Sequence, residues 1–126
     1  MKRTISLTKN YEFYRAYKRG AFKAGRHIVI YALKNRNNML RLGISVGKKA
    51  GNSVQRSRFT RLIRENYRLL EDRIIEGYDI VIAARPIKRE AAVPNHKIKA
   101  VALPSYEDIR SEMTWILNKL DLLDKQ

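Results

Sequence analysis

The 126-residue chain has no cysteine, three prolines, two histidines and only 12 acidic residues. Without cysteine there is neither a disulfide framework nor a thiolate metal site, and the cytoplasm is the simplest expected setting. Apolar runs such as Ile80 to Ala84 are far too short to cross a bilayer. The opening Met1-Lys2-Arg3-Thr4-Ile5 is basic, but no apolar stretch or small-residue cleavage site follows it, so no signal peptide is expected. His27 and His96 fall in different segments and read as surface or strand residues. Clustered carboxylates, a nucleotide-binding glycine loop and a Ser-His-Asp arrangement are all missing from the pattern, so no catalytic residue and no metal ligand is assigned.

The scarcity of acids is uneven. Residues 1 to 64 contain 17 Lys and Arg and one acid, Glu12, whereas residues 65 to 126 contain 10 basic and 11 acidic side chains. The net charge of +15 therefore resides in the first half. Self-repulsion of that size calls for a polyanion or an anionic surface as partner. With 44% hydrophobic residues the chain suits one compact domain over 1–126 with a modest core.

Thr8 is placed to cap a first helix running through Tyr17, with Glu12 in its opening turn, Lys18 and Arg19 in its last and Gly20 as the stop. His27 to Leu33 and Leu40 to Val46 read as strands, joined as a hairpin by Asn35-Arg36-Asn37-Asn38. Asn52 or Ser53 caps a long helix reaching about Glu71 and closed before Gly77. Tyr78 to Ala84 fits a strand buried on both faces, ended by Pro86. Residues 85 to 104 form a connection in which Lys97 to Leu103 could add an edge strand. Ser105 and Asp108 form a capping box for a last helix whose Ile109, Met113, Ile116, Leu117 and Leu120 share one face. There are no repeats. The expected class is α+β: one mixed sheet of about four strands covered by three helices.

The long helix is the most informative element. On a helical wheel Phe59, Leu62, Ile63, Leu69 and Leu70 cluster in one arc, and Ser57, Arg61, Arg64 and Arg68 lie opposite, flanked by Arg56 and Arg58. Glu65 meets Arg61 only obliquely, and Arg64 has no acid at 67 or 68, so pairing within the helix does not account for the arginine row. Guanidinium groups make bidentate contacts to phosphate and stack on bases, which suits structured RNA.

The run Gly43-Ile44-Ser45-Val46-Gly47-Lys48-Lys49-Ala50-Gly51-Asn52-Ser53-Val54-Gln55-Arg56-Ser57-Arg58-Phe59-Thr60-Arg61-Leu62-Ile63-Arg64-Glu65 closely resembles the signature of the protein component of bacterial ribonuclease P. Asn10-Tyr11-Glu12-Phe13 to Gly20, Arg26 before the first long strand and Tyr78 to Pro86 agree in order, so the likeness spans about residues 6 to 86 plus the last helix. It implies an α/β sandwich like the second domain of a small-subunit ribosomal protein, in which the arginine helix joins two parallel central strands by a left-handed crossover. The general rule for such connections predicts the right-handed form. The resemblance further implies a ribonucleoprotein that removes the 5′ leader of precursor tRNA, with cutting done by a large RNA. Magnesium would be bound mainly by that RNA, and no cofactor would be intrinsic to the protein. The implied partners are the ribonuclease P RNA and precursor tRNA, with neither membrane nor DNA among them.

By the same resemblance Lys48, Lys49, Arg56, Arg58, Arg61 and Arg64 contact RNA backbone, in a surface that also includes Asn52, Ser57, Thr60 and Arg68. Ser57 stands where the family usually has Asn, and Thr60 where it usually has Lys or Arg, so contact at 60 is expected to be weaker or water-mediated. The connection at 85–104 is longer than usual. Phe13 and Tyr17 share a face of the first helix, with Tyr14 beside them and Tyr31 on a strand. With Arg26 these residues form a candidate cleft for the single-stranded leader, since stacking tolerates any base sequence. Phe13 and Tyr17 could equally anchor the helix to the core. The alternative function is a stand-alone RNA-binding module, such as a ribosomal protein or assembly factor. A membrane-surface protein is disfavoured, because the basic helix has no free apolar face.

Overall fold

The strand at Tyr78–Ala84 is apolar at nearly every position and occupies the middle of the molecule, where both of its faces are covered. The structure, a computed structural model, describes residues 3–86 and 103–124. Five strands form one sheet: Thr4–Ser6 (β1), Ala21–Ala24 (β2), Ile28–Lys34 (β3), Leu40–Ser45 (β4) and Tyr78–Ala84 (β5), in the order β1-β4-β5-β3-β2. β1, β4 and β5 run parallel, while β3 is antiparallel to β5 and β2 to β3. Asn10–Arg19 (α1) covers one face, and Ser53–Leu70 (α2) with Tyr106–Lys119 (α3) covers the other. Sheet and helices thus form the expected mixed sandwich, and α2 connects the parallel neighbours β4 and β5.

Four expectations change. The expected hairpin does not exist: β3 and β4 are consecutive but β5 lies between them. A strand apolar on both faces is best satisfied with a paired neighbour on each side, and its entry is bound to both ends of the 35–38 turn. The Asn35 N–H donates to Gly77 O at 2.8 Å, and the Gly77 N–H donates to Met39 O at 3.1 Å. The sheet has five strands, not about four; β1 is three residues long and all four residues of β2 are exposed, so neither shows the alternation that marks a half-buried strand. Thr8 does not cap α1. The N-cap is Lys9, and the free N–H groups of Thr8 and Lys9 donate to Glu12 Oε1 at 3.3 and 3.1 Å. Leu69 is 55% exposed, and the buried arc of α2 is Phe59, Ile63, Asn66, Tyr67 and Leu70. The candidate edge strand at Lys97–Leu103 lies, Leu103 apart, outside the described residues.

Gly20 does end α1, though with an extended φ of −73°. It is required there for space, because a Cβ would approach Ala16 O to 2.6 Å and Ala32 O to 3.0 Å. Capping boxes start α2, from Asn52 and Gln55, and α3, from Ser105 and Asp108. The main core joins Phe59, Ile63 and Tyr67 of α2 and Ile109, Met113 and Ile116 of α3 to inward residues of β3, β4 and β5. Tyr67 keeps its hydroxyl inside this core. Burial pushes its pKa up to about 12, and the hydroxyl hydrogen-bonds Thr4 Oγ1 at 2.9 Å, which in turn donates to Glu71 Oε2.

The α1 face has a much smaller apolar cluster, Leu7, Ala16 and Val81. Beside it Arg41 of β4 donates through Nε and Nη2 to Asp79 of β5, at 2.8 and 2.6 Å, and through Nη1 to Glu12 of α1 at 2.5 Å. Asn35 Nδ2 adds a bond to Asp79 at 2.9 Å. Backbone N–H donation, foremost from Lys9, holds the Glu12 carboxyl below its usual range. Burial pushes Asp79 upward, but the bonds from Arg41 and Asn35 outweigh it and its pKa is lowered. Arg41 is raised, chiefly by its bond to Asp79.

Arg41→Met leaves Asp79 buried with an uncompensated charge and should cost about 3–5 kcal/mol, read by urea denaturation at neutral pH. Because both carboxyls titrate lower when folded, their contribution is complete above the ordinary values of 4.5 for Glu12 and 3.8 for Asp79 and is lost as pH falls below them. In Arg41→Met the Asp79 share of that acid sensitivity should shrink while the Glu12 share, resting foremost on backbone donors, persists.

Candidate nucleic-acid interface

β4 leads through Gly47 into a short 3-10 turn, Lys48–Ala50, and Gly51 turns the chain into α2 with φ +128°. Ala50 is buried and plugs this turn into the body, which leaves the Lys48 and Lys49 side chains exposed ahead of the helix. Asn52 is occupied by capping: its side chain accepts from the Gln55 N–H at 2.9 Å, and Gln55 Oε1 accepts from the Asn52 N–H at 2.9 Å.

Along α2 Ser57, Arg58, Arg61, Arg64 and Arg68 are exposed, and Arg56 and Thr60 are half-buried. Ser53, Arg56, Ser57, Thr60 and Arg64 line one depression of about 390 Å³. Arg56 Nε is buried at its edge and has no hydrogen-bond acceptor among the described residues. Thr60 Oγ1 donates to Arg56 O at 2.9 Å, so its hydroxyl proton is committed to the helix backbone. Arg61 does pair with Glu65, Nε to Oε1 at 3.0 Å, where the wheel suggested only an oblique approach. The pair is four residues apart and largely exposed, and such pairs contribute only about 0.3–0.5 kcal/mol, so Glu65 holds the Arg61 guanidinium only weakly.

The second surface lies on the α1 face. Asn10, Phe13, Tyr14 and Tyr17 of α1, with Ile44 and Ser45 of β4, line an open cleft of about 390 Å³. Gly43 makes it possible: a Cβ there would lie 2.5 Å from Phe13 Cε1, so the Phe13 ring rests directly on the sheet. Phe13 packs against the Leu7, Ala16 and Val81 cluster, as the anchoring reading expects, and also lines the cleft. Tyr17 is exposed, and its ring meets Tyr31 edge-on at 4.8 Å. Arg26 is not among the residues that line this cleft. It is exposed in the turn between β2 and β3, close enough to α3 to help hold Asp108 below its usual range, after the Ser105 bonds and His27. The sequence reading missed Asn10, Ile44 and Ser45. For Ser45 the signal was available, because the alternation of β4 puts it on the same face as Arg41 and Gly43.

The family model for ribonuclease P matches residues 1–121. The chain belongs to the ribonuclease P protein family. It is 36% identical to the ribonuclease P protein component of Alkaliphilus oremlandii over 98% of this chain and 97% of that one. To the component from Clostridium novyi it is 40% identical over 97% and 98% of the two chains. The structure of the Staphylococcus aureus RNase P protein superimposes with a TM-score of 0.74 at 31% identity, covering 94% of this chain and 97% of that one. The chain is thus a protein component of a tRNA-processing ribonuclease. Among the described residues no group of three or more His, Cys, Asp or Glu is placed to hold a metal ion, and no helix is long and apolar enough to cross a membrane.

Gly43→Ala should push the Phe13 ring off the sheet and destabilise the fold by about 1–3 kcal/mol, measured by urea denaturation. Ser45→Ala, beside it on the same face, should stay within about 0.5 kcal/mol of the parent. Equal stabilities for Gly43→Ala and the parent would show that Phe13 is not seated there.

Proposed function

We propose that the protein binds the catalytic RNA of ribonuclease P through α2 and the lysine turn, and the 5′ leader of precursor tRNA through the aromatic cleft, so that the RNA cuts the leader away. One observation carries this reading: an aromatic cleft partly lined by β4 and, one turn further along the chain, a helix with a guanidinium-lined depression occur together in a member of this family. Each suits a different form of RNA. Arginines at Arg56 and Arg64 around a depression fit backbone phosphate, whereas Phe13 and Tyr17 offer ring surface to bases of any identity.

Magnesium is assigned to the RNA on the chemistry of the donors. The first surface presents guanidinium and hydroxyl groups and the second aromatic, hydroxyl and amide groups, with no carboxylate in either, which suits phosphates and bases better than a hard divalent cation. Held by the RNA, the ion supplies Lewis acidity and an activated water. The protein chain itself is read as non-catalytic, working in the cytoplasm on RNA, with neither DNA nor membrane as partner.

Adding the protein to a ribonuclease P RNA at low magnesium should restore leader removal, and the protein alone should cut nothing. No restoration would favour a stand-alone RNA-binding role. Replacing Arg64 with Ala should lower the slope of log K against log salt by about 0.7–0.9 if it neutralises one phosphate, and an unchanged slope would remove it from the interface. Tyr17→Ala should weaken precursor tRNA binding and spare mature tRNA; equal losses for the two would overturn the cleft assignment.

A further inference from the structure

β2 follows α1 after a single glycine and forms one outer edge of the sheet. Its register pairs Phe22 with Tyr31, so both rings project from the same face as the cleft. The rings lie 5.7 Å apart, tilted by 32°, and Tyr31 in turn meets Tyr17 edge-on at 4.8 Å. Tyr17, Tyr31 and Phe22 thus form a continuous aromatic row from α1 across β3 to the edge of the sheet.

Packing does not explain Phe22. It is 63% exposed, more than any other large hydrophobic side chain among the described residues, and it belongs to neither apolar cluster. An exposed aromatic on an edge strand is a liability for self-association, so its position calls for a ligand that uses the ring. Charge selects the ligand. From Phe13 to Lys34 the chain contains no carboxylate, and beside the cleft Lys18 lies over the ring of Tyr14, whereas Lys23 and Arg26 are turned toward α3. A base with a phosphate attached fits such a strip, and an apolar protein surface does not.

We propose that Phe22 stacks a further base of the single-stranded leader, beyond those held at Phe13 and Tyr17, so that the cleft continues over the edge strand and binds a longer stretch of leader. This rests on the assignment of the cleft to the leader. The backbone of β2 supports the ring without blocking it, because its outer side has no strand partner among the described residues.

The test uses the protein assembled with ribonuclease P RNA and precursor tRNAs whose leaders lengthen one nucleotide at a time. In the parent, affinity should rise in steps and include one step at a length beyond that sensed by Tyr17. Phe22→Ala should lower the ratio of long-leader to short-leader affinity by about 5-fold or more, the value of one stacked base. Phe22→Tyr, which keeps a ring, should retain the step, and Phe22→Leu, which keeps only apolar bulk, should lose it. A Phe22→Ala protein with the parental ratio, or a Phe22→Leu protein that keeps the step, overturns the proposal. If Tyr17→Ala also binds every leader length as the parent does, the cleft assignment itself fails; if Tyr17→Ala loses affinity while Phe22→Ala keeps the parental ratio, only the extension fails.

Discussion

Arg41 stands on the α1 face of β4, with Asp79 beside it on β5 and Glu12 above it on α1, and its guanidinium donates to both carboxylates. On the opposite face α2 and α3 are held by a large apolar core, but the cluster at α1 among the described residues is small: buried Leu7, Ala16 and Val81, with Phe13 and Tyr31 packed partly buried against them. A cluster that small would leave a ten-residue helix weakly attached. The ion network supplies the missing attachment at one end of α1. It does so without filling the space at Phe13 and Tyr17 with side chains, and the aromatic cleft is that space.

The same network bears on the charge of the surface. Self-repulsion in a chain with net charge +15 could be relieved by scattering the few carboxylates among the basic groups. Instead several of them are turned inward. Glu12 and Asp79 bind Arg41, Glu112 accepts from the N–H groups of His27 and Ile28 and from the His27 ring, and Glu71 accepts from Thr4. Glu65, the one acid within α2, faces the arginine row, and it does so in an exposed pair. The positive potential of α2 is therefore a consequence of where the acids went as much as of where the arginines are.

The elements that could be read from the sequence are those in which one pattern decides the outcome. Ser105 with Asp108, and Asn52 before an amphipathic run, gave helix starts that the structure reproduces, and the apolar Tyr78–Ala84 gave a strand with the observed bounds. What could not be read depends on contacts between distant segments. Asn35 to Asn38 is good hairpin chemistry, and nothing local reveals that β5 will come between its two strands. Leu69 is as apolar as Leu70, and only the line of contact with α3 and the sheet places one outside and the other inside. In the candidate site the arginine row was legible from periodicity. The role of Gly43 was not, since it depends on a phenylalanine thirty residues earlier coming to rest on it.

A single stretch of chain ties these features together. Arg41 fixes α1, Gly43 admits the Phe13 ring, Ser45 lines the cleft, Lys48 and Lys49 sit in the turn that follows, and Arg56 to Arg64 complete the second surface. Up to Leu42 this stretch is a strand paired on both sides, by β1 and β5, and β5 continues the pairing to Ser45, which restricts its movement. Ala50 buried in the turn and the capping box at Asn52 and Gln55 then limit how α2 can swing relative to that strand. On the reading proposed above, a guide that must hold a single strand at a set position relative to a folded RNA needs this kind of fixed offset more than it needs a reactive group. The chain provides it with hydrogen bonds and packing along one continuous segment, which is why the two surfaces are better understood as one device than as two independent sites.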